Sequence, residues 1–400
     1  MTYVSLPNDL LIEILSRVPG KTLARFRSVS KQFKSLISDH CFLRLHHNRL
    51  RDSLFVISIH EPLPNSHNDF YALLHKRSDT YSKRYNFIVT NKANGIVHAF
   101  TVMFGCRNFR MLSSYHKLLC FVCNSGIYLC DPMNKDLKYL HDSPWSPLCF
   151  NRSEECLVSF GFVEATMQYK VVKWPHDLDE SRRRRLPNGL ITTWKKFNKL
   201  EFEVLNIDIV GNGGLKVSPW RRHHSPCSYL LQLSSQVYVN GFIYWTTSDF
   251  QIVSFSLQDE TFSTVNPKPP CFCLDIQGSK ETRFFTLSGS RGNLWMIDND
   301  VTSQTMEIWM MDESRDGGWA KIHKIDLGGT HSNGNDGRVH MLDIRSDRVL
   351  FKLSSTWSTW PLFCYNAKSS TLVNCGRVFR EYQLCHSTDG LLSLHNLDTY

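Results

Sequence analysis

The sequence predicts a fold in two parts, a short helical module followed by a much longer domain built almost entirely of β-strands. Three observations support it. Apolar residues in the first fifty positions recur at helical spacing, and from residue 54 onward short apolar runs alternate with turn residues. A glycine-led segment also recurs four times in the second half. This asymmetry suggests an adaptor, in which one end docks on common machinery and the other end selects a target.

The first helix is predicted directly after Leu6. Pro7 suits the first turn of a helix, where the missing N–H costs nothing. The apolar residues that follow share one helical stripe: Leu10, Leu11, Ile14, Leu15 and Val18. Pro19 and Gly20 are expected to end this helix.

Two more short helices are expected before residue 42. One spans residues 22–26, and the other is capped by Ser28 or Ser30 and turns Phe33, Leu36 and Ile37 inward. Three helices this short bury too little apolar surface to be very stable alone. We therefore expect a partner to cover part of their apolar face. A plain helical cap on the larger domain is the alternative interpretation.

The N-terminal segment from residue 6 to 42 resembles an F-box. The matching positions, in order, are Leu6-Pro7, Leu10-Leu11, Glu13-Ile14-Leu15, Arg17-Val18-Pro19, Leu23, Arg25-Phe26, Val29-Ser30-Lys31, Phe33 and Phe42. Phe33 stands where the family most often has Trp. It keeps the aromatic bulk but lacks the indole N–H.

This resemblance implies a non-catalytic subunit of a cullin-type (SCF) E3 ubiquitin ligase, without a cofactor. Its F-box would bind a Skp-type adaptor protein and, through it, a cullin. Nine residues match the adaptor-contacting positions of the family: Leu6, Pro7, Leu10, Ile14, Leu15, Leu23, Val29, Lys31 and Phe33. Residues 1–50 hold eight Lys or Arg against three acidic residues, a net +5 of the chain's +9. This charge suits an acidic partner, although it would equally suit a nucleic acid.

The repeat in the second half helps to choose among all-β folds. Its four glycines, Gly241, Gly292, Gly337 and Gly390, are 51, 45 and 53 residues apart, and each precedes an apolar strand-like run. This spacing is near the period of kelch-type propeller blades. Each copy is expected to be a tight turn that opens a strand, with glycine supplying an unusual backbone angle. A sandwich stays open beside a propeller, because glycine before a strand is common.

A second resemblance, clearest over residues 112–327, is to the F-box-associated domain of plant F-box proteins. Its landmarks, in order, are Leu118-Leu119-Cys120-Phe121, Ser159-Phe160-Gly161-Phe162, Tyr169-Lys170-Val171-Val172, Val239-Asn240-Gly241-Phe242-Ile243-Tyr244-Trp245, Glu307-Ile308-Trp309 and Trp319-Ala320-Lys321-Ile322. His116-Lys117 and Asp131 depart from the family pattern. The resemblance implies an F-box in residues 1–46 and a kelch-like β-propeller in residues 52–400. The propeller would bind a target protein for ubiquitination, whose identity the sequence does not give.

Other clusters are assigned to structure rather than chemistry. Thirteen cysteines without a secretory signal indicate reduced thiols and a cytoplasmic or nuclear location. Cys120 and Cys123 have metal-site spacing but no second ligand pair, so we expect buried strand cysteines there. Cys271 and Cys273 lie in a predicted Pro-rich loop, and we expect a structural role for them too. No apolar stretch is long enough to span a membrane.

Two basic clusters, residues 182–185 and Arg221-Arg222-His223-His224, are expected in loops between strands. Arg221 and Arg222 are candidate target contacts, together with Trp357 and Trp360. Phosphate loops, metal-protease motifs and nucleophile elbows are missing from the sequence. Two alternatives stay open: a free-standing propeller, binding protein or enzyme, with a non-functional F-box, and a nucleic-acid-binding protein, which we consider unlikely.

Overall fold

The structure is a computed structural model of the 400-residue chain. It describes residues 6–49, 53–59, 83–90, 96–104, 110–113, 118–123, 126–131, 136–144, 158–174, 180–185, 191–196, 200–210, 214–225, 230–232, 236–247, 250–273, 283–312, 318–330, 338–355, 357, 359–379, 383–387 and 397–398. The chain divides into two compact units. The first comprises Met1–Cys156 with Glu381–Asn396, and the second comprises Leu157–Arg380 with Leu397–Tyr400.

Five helices and twenty-nine strands lie in the described residues. The helices are α1 (Asn8–Leu15), α2 (Gly20–Phe26), α3 (Lys31–Ser38), α4 (His40–Arg49) and α5 (Pro270–Cys273). The strands are β1 (Ser53–Ile59), β2 (Lys83–Thr90), β3 (Ile96–Phe104), β4 (Arg110–Ser113), β5 (Leu119–Cys123), β6 (Gly126–Asp131), β7 (Asp136–Leu140), β8 (Val158–Val163), β9 (Gln168–Lys173), β10 (Glu180–Arg185), β11 (Ile191–Lys196), β12 (Leu200–Val210), β13 (Gly214–Val217), β14 (Arg221–Ser225), β15 (Leu230–Gln232), β16 (Val237–Val239), β17 (Phe242–Thr246), β18 (Ile252–Ser256), β19 (Thr261–Thr264), β20 (Arg283–Ser290), β21 (Asn293–Asp300), β22 (Thr305–Asp312), β23 (Gly318–Asp326), β24 (Val339–Ile344), β25 (Arg348–Leu353), β26 (Thr359–Asn366), β27 (Thr371–Phe379), β28 (Gln383–Ser387) and β29 (Leu397–Asp398).

The helices α3 and α4 begin at residues whose side chains cap them, whereas α1 and α2 follow prolines without a side-chain cap. The Ser30 side chain accepts a hydrogen bond from the Phe33 backbone N–H at 3.1 Å, which confirms Ser30 as the cap of α3. Asp39 caps α4 in the same way through the backbone N–H groups of Cys41 and Phe42. This fourth helix is absent from the sequence prediction. Pro19 was expected to end α1, but it directly precedes α2, whose first residue is Gly20.

Most of the sheets are four-stranded and antiparallel. The first unit holds two of them, with strand orders β28-β1-β2-β3 and β4-β5-β6-β7. The second unit holds three, each made of four consecutive strands: β16 to β19, β20 to β23 and β24 to β27. It also holds a six-stranded sheet, in which β14 joins β12 of the path β29-β13-β12-β9-β8, and a three-stranded sheet, β10-β11-β15. Four successive antiparallel strands are the pattern of a propeller blade.

The first two copies of the glycine repeat are equivalent hairpin turns. Asn240-Gly241 joins β16 to β17 with φ angles of 45° and 85°, and Arg291-Gly292 joins β20 to β21 with 55° and 75°. Positive φ at both central residues is what a two-residue hairpin requires, so the expected turn role of glycine is confirmed here. The third copy is out of phase, because it precedes β24, the first strand of its sheet. Gly337 and Gly390 lie outside the described residues.

The second unit buries large aromatic residues between neighbouring sheets. Trp174, at the end of β9, packs edge-on against Trp245 of β17, with ring centroids 5.1 Å apart. Its indole N–H donates to the Ser159 hydroxyl at 2.7 Å, so the buried polar group is satisfied. A further cluster joins the β20–β23 sheet to the β24–β27 sheet and includes Trp295 and Phe351. Nine of the ten Trp residues of the chain belong to this unit, which suits large packed faces between sheets.

Both basic clusters lie in strands, not in the loops that we expected. Residues 182–185 belong to β10, which pairs with β11, and Arg221-Arg222-His223-His224 belongs to β14, which pairs with β12. The loop prediction was wrong because it rested on charge alone, whereas a strand at the edge of a sheet tolerates charged side chains.

The cysteines with metal-site spacing are structural where they are described. Cys120 is fully buried in β5, as expected, and Cys271 is buried in the short helix α5. Burial raises the pKa of the Cys271 thiol to about 12, so it is not a ready nucleophile. The side chains of Cys123 and Cys273 lie outside the described residues.

Candidate functional site

A row of exposed apolar side chains runs along one face of the N-terminal helices. Leu10 and Ile14 of α1 are four residues apart, so they share one helical face, and Leu6 lies just before the helix. The exposed fractions of Leu6, Leu10 and Ile14 are 51%, 51% and 54%. Val29, after α2, is 67% exposed. These four are half of the eight large apolar residues that are exposed among the described residues. This concentration within 24 residues makes the exposed row, Leu6, Leu10, Ile14 and Val29, the candidate interaction surface of the helices.

The opposite side of the helices forms a small core. Leu15 and Leu23 are 3% and 0% exposed, and Ile37 and Phe42 are also buried. Leu15 and Leu23 match adaptor-contacting positions of the F-box, yet they offer almost no surface to a partner. Their role in the structure is to hold the helices together and thereby position the exposed row.

The remaining predicted contacts, Pro7, Lys31 and Phe33, differ in exposure. Pro7 and Lys31 are exposed. Phe33 is half-buried, and its ring lies 6.2 Å from that of Phe26. A hydrogen bond of 3.0 Å from the Gln32 amide to Asn8 links α3 to α1 and so fixes the two helices that carry these positions.

The sequence reasoning missed the contribution of α4. His46 is buried, its Nε2 lies 2.8 Å from the carbonyl oxygen of Val18, and its ring stacks on Phe42. This contact anchors α4 to the segment between α1 and α2. The apolar run Cys41-Phe42-Leu43 with an Asp39 cap was the signal that could have revealed this helix.

Family comparisons agree with this arrangement. The F-box domain matches residues 4–45, and the F-box associated beta propeller domain matches residues 65–378, more than three quarters of the chain. The chain belongs to the F-box-associated β-propeller family. The predicted fold class, a short helical F-box followed by a β-propeller, is therefore confirmed.

Curated relatives of this F-box protein are plant proteins of the same kind. The F-box/kelch-repeat protein At3g23880 of Arabidopsis thaliana is 24% identical over 376 residues, which cover 90% of each chain. The F-box protein At3g07870 of the same plant is 25% identical over 275 residues, 67% of this chain and 61% of the relative. Among solved structures, TolB from Acinetobacter baumannii matches with a TM-score of 0.43 at 9% identity, over 90% of this chain and 72% of TolB, a likeness too slight to carry any argument.

The four candidate target contacts of the propeller differ in their surroundings. Trp357 is 67% exposed, whereas Trp360 is buried, with the Lys352 ammonium 4.8 Å from its ring centroid. Arg221 and Arg222 are partly exposed and already paired, with Glu260 at 2.9 Å and Glu203 at 3.7 Å. Trp357 is thus the candidate with the most surface to offer, and its role stays a prediction.

The Arg221 pair belongs to a structural charge cluster. Glu260 also accepts from the Lys170 ammonium at 2.7 Å and lies 2.8 Å from Nε2 of His223. Burial alone would raise the pKa of Glu260, but the hydrogen bonds and charges of Lys170 and Arg221 lower it below its ordinary value. Burial lowers the pKa of His223, although the charge of Glu260 opposes this shift. This cluster joins β9 and β14 to the turn before β19.

The part of the chain that the structure describes holds neither a cluster of candidate metal ligands nor a helix that could span a membrane. Within them, no group of three or more His, Cys, Asp or Glu side chains is placed to hold a metal ion. Likewise, no helix in the described ranges is long and apolar enough to cross a membrane.

Proposed function

We propose that this F-box protein is the substrate-recognition subunit of an SCF E3 ubiquitin ligase. Its F-box binds a Skp-type adaptor, and through it a cullin, while its propeller binds a target protein. The observation that carries the proposal is the exposed row of Leu6, Leu10 and Ile14 in a domain that matches the F-box model. A row half open to water gains free energy when a partner covers it.

In this role the chain acts by geometry and is not itself an enzyme. Holding a target near the charged conjugating enzyme raises the effective concentration of the two reactants without any catalytic side chain. We place this function in the cytoplasm or the nucleus, where the cysteines would stay reduced.

The decisive experiment compares two substitutions that introduce the same charge at equal exposure. Ile14 and Val373 are both 54% exposed, but only Ile14 belongs to the exposed row of the F-box. We expect Ile14→Asp to weaken binding to a purified Skp-type adaptor by about 100-fold or more, because a carboxylate would be buried in an apolar interface. Val373→Asp should bind the adaptor as the wild type does, and calorimetry should show that both variants unfold at the wild-type temperature.

The possible outcomes separate the two main hypotheses. If the wild-type chain does not bind the adaptor, the F-box is non-functional and the propeller is a free-standing binding protein. Equal losses in Ile14→Asp and Val373→Asp would also contradict the proposal, because they would show that binding does not depend on the exposed row.

A further inference from the structure

The outermost strand of the last sheet is long and largely exposed. β27 pairs with β26 along one edge, and the described residues place no strand along its other edge. Of the eight residues 371–378, six are exposed, the same fraction as in the shorter outer strand β19, where three of four are exposed, and more than in β23, where three of nine are. A long exposed edge presents unpaired backbone N–H and C=O groups, to which a further strand can bind.

A bulge divides this edge into two parts. The register shifts between Leu362 and Phe363 of β26, so Cys375 of β27 has no residue opposite it. Gly376 follows with a φ of 105°, and a Cβ there would meet no atom within 4 Å. Residues 371–374 before the bulge form a regular ladder with β26. The bulge therefore prevents another strand from pairing along the whole of β27, while residues 371–374 can still pair with one.

A groove of about 450 Å³ lies beside β27. One side is the turn after β23, which includes Gly328 and Gly329. The other side is formed by β26 and β27, with Phe363, Leu372 and Asn374. Side chains of a strand alternate between its two faces, so every second residue of a strand added to β27 would face the groove.

Two charged side chains of the groove, Arg377 and Asp326, form no ion pair with the described residues. Arg377 donates to the side chain and the carbonyl oxygen of Thr359, but no carboxylate in the described part of the chain pairs with it. Asp326 accepts a hydrogen bond from the Gly328 backbone N–H at 2.8 Å, and the described residues supply no cation for it. A ligand with one acidic and one basic side chain would complement both groups.

We propose that β27 and this groove bind an extended segment of the target protein, which adds to the sheet as a fifth strand. The segment presents an acidic side chain to Arg377 and a basic one to Asp326. The identity of the segment as part of a ubiquitination target rests on the function proposed above. Binding of the segment itself requires no adaptor, so the two proposals can fail separately.

The test uses a phage-displayed library of random twelve-residue peptides, selected on the full-length chain. We expect the selected peptides to share an acidic residue, and Arg377→Glu to weaken their binding at least about tenfold in fluorescence anisotropy. Changing the peptide's acidic residue to Lys should restore binding to the Arg377→Glu variant. Lys268→Glu is the matched control, because Lys268 is exposed, lies outside the groove and changes the net charge equally.

A measurement on the wild-type chain keeps the proposal testable if Arg377→Glu fails to fold. Hydrogen exchange should slow at those backbone amides of residues 371–374 that do not already bond to β26 when a selected peptide is bound, since a new strand pairs with them. Unchanged exchange would overturn strand addition, and equal loss in Arg377→Glu and Lys268→Glu would overturn the groove. Failure to select any peptide, or dimerisation of the chain through β27, would overturn it too. Adaptor binding in the same preparation shows whether the proposed function still holds.

Discussion

The helix α1 and the strand β17 use apolar residues in opposite ways. Leu10 and Ile14 of α1 are more than half exposed, while Ile243 and Trp245 of β17 are 0% and 1% exposed. Both segments have a regular apolar pattern in the sequence. The difference teaches that periodicity identifies an apolar face, but not whether the same chain covers it.

The cause lies in how many neighbours each region has. β17 lies inside a four-stranded sheet and contributes to an apolar cluster of ten buried residues drawn from two sheets. The helical module is short, and its described buried apolar residues come from four helices of seven to ten residues each. A small module cannot bury both sides of α1, so one side is left for a partner.

The largest expected effect comes from truncating one apolar side chain in each of the two regions and comparing the free energies of unfolding. Trp245→Ala should lower the free energy of unfolding by about 3–5 kcal/mol, because it removes a fully buried ring and leaves a cavity. Leu10→Ala should change it by no more than about 0.5 kcal/mol, since its side chain is already half in water. Urea unfolding followed by tryptophan fluorescence and circular dichroism would measure both values.

The two substitutions should rank in the opposite order in their effect on affinity for the adaptor. Leu10→Ala should weaken the complex, and Trp245→Ala, where it remains folded, should leave the affinity unchanged. If Leu10→Ala destabilises the chain as much as Trp245→Ala, α1 is part of a buried core and the contrast between the two regions is wrong.

A smaller effect tests burial inside the sheets through pH. Asp298 is buried in β21, and burial raises its pKa to about 6, although Arg283 donates to both carboxylate oxygens. A carboxyl group with a raised folded pKa stabilises the fold below its unfolded pKa, near 4, and this contribution is lost as the pH rises through 6. Between pH 4 and pH 7, the wild type should therefore lose on the order of 2 kcal/mol relative to Asp298→Asn. Parallel stability curves for the two proteins would contradict a raised pKa.

Much of this architecture was predictable because it depends on local chemistry. The Ser30 cap and the turns at Gly241 and Gly292 follow from hydrogen bonding and backbone sterics within a few residues. Burial of Cys120 follows from its place in an apolar strand. Such features need no knowledge of distant parts of the chain.

Features that depend on pairing with distant segments were not predictable. Arg221-Arg222-His223-His224 lacks the apolar alternation of a strand, yet β12 provides its hydrogen-bonding partner. Glu260, in the turn between β18 and β19 of another sheet, pairs with Arg221 and lies 2.8 Å from Nε2 of His223. Likewise, the exposure of Leu10 and the burial of Leu15, five residues away, depend on where the other helices pack.

The smallest expected effect concerns Phe33, which is half-buried in α3. Trp is the residue that the F-box family most often has at this position, and its larger ring adds apolar area and an indole N–H. We expect Phe33→Trp to strengthen adaptor binding by about two- to tenfold, which corresponds to at most about 1.4 kcal/mol. Titration calorimetry on the two full-length chains would measure it, with Phe33→Leu as the control that removes the aromatic ring. An unchanged affinity for Phe33→Trp would show that the position serves packing against Phe26 and that the adaptor is held by the row on α1 alone.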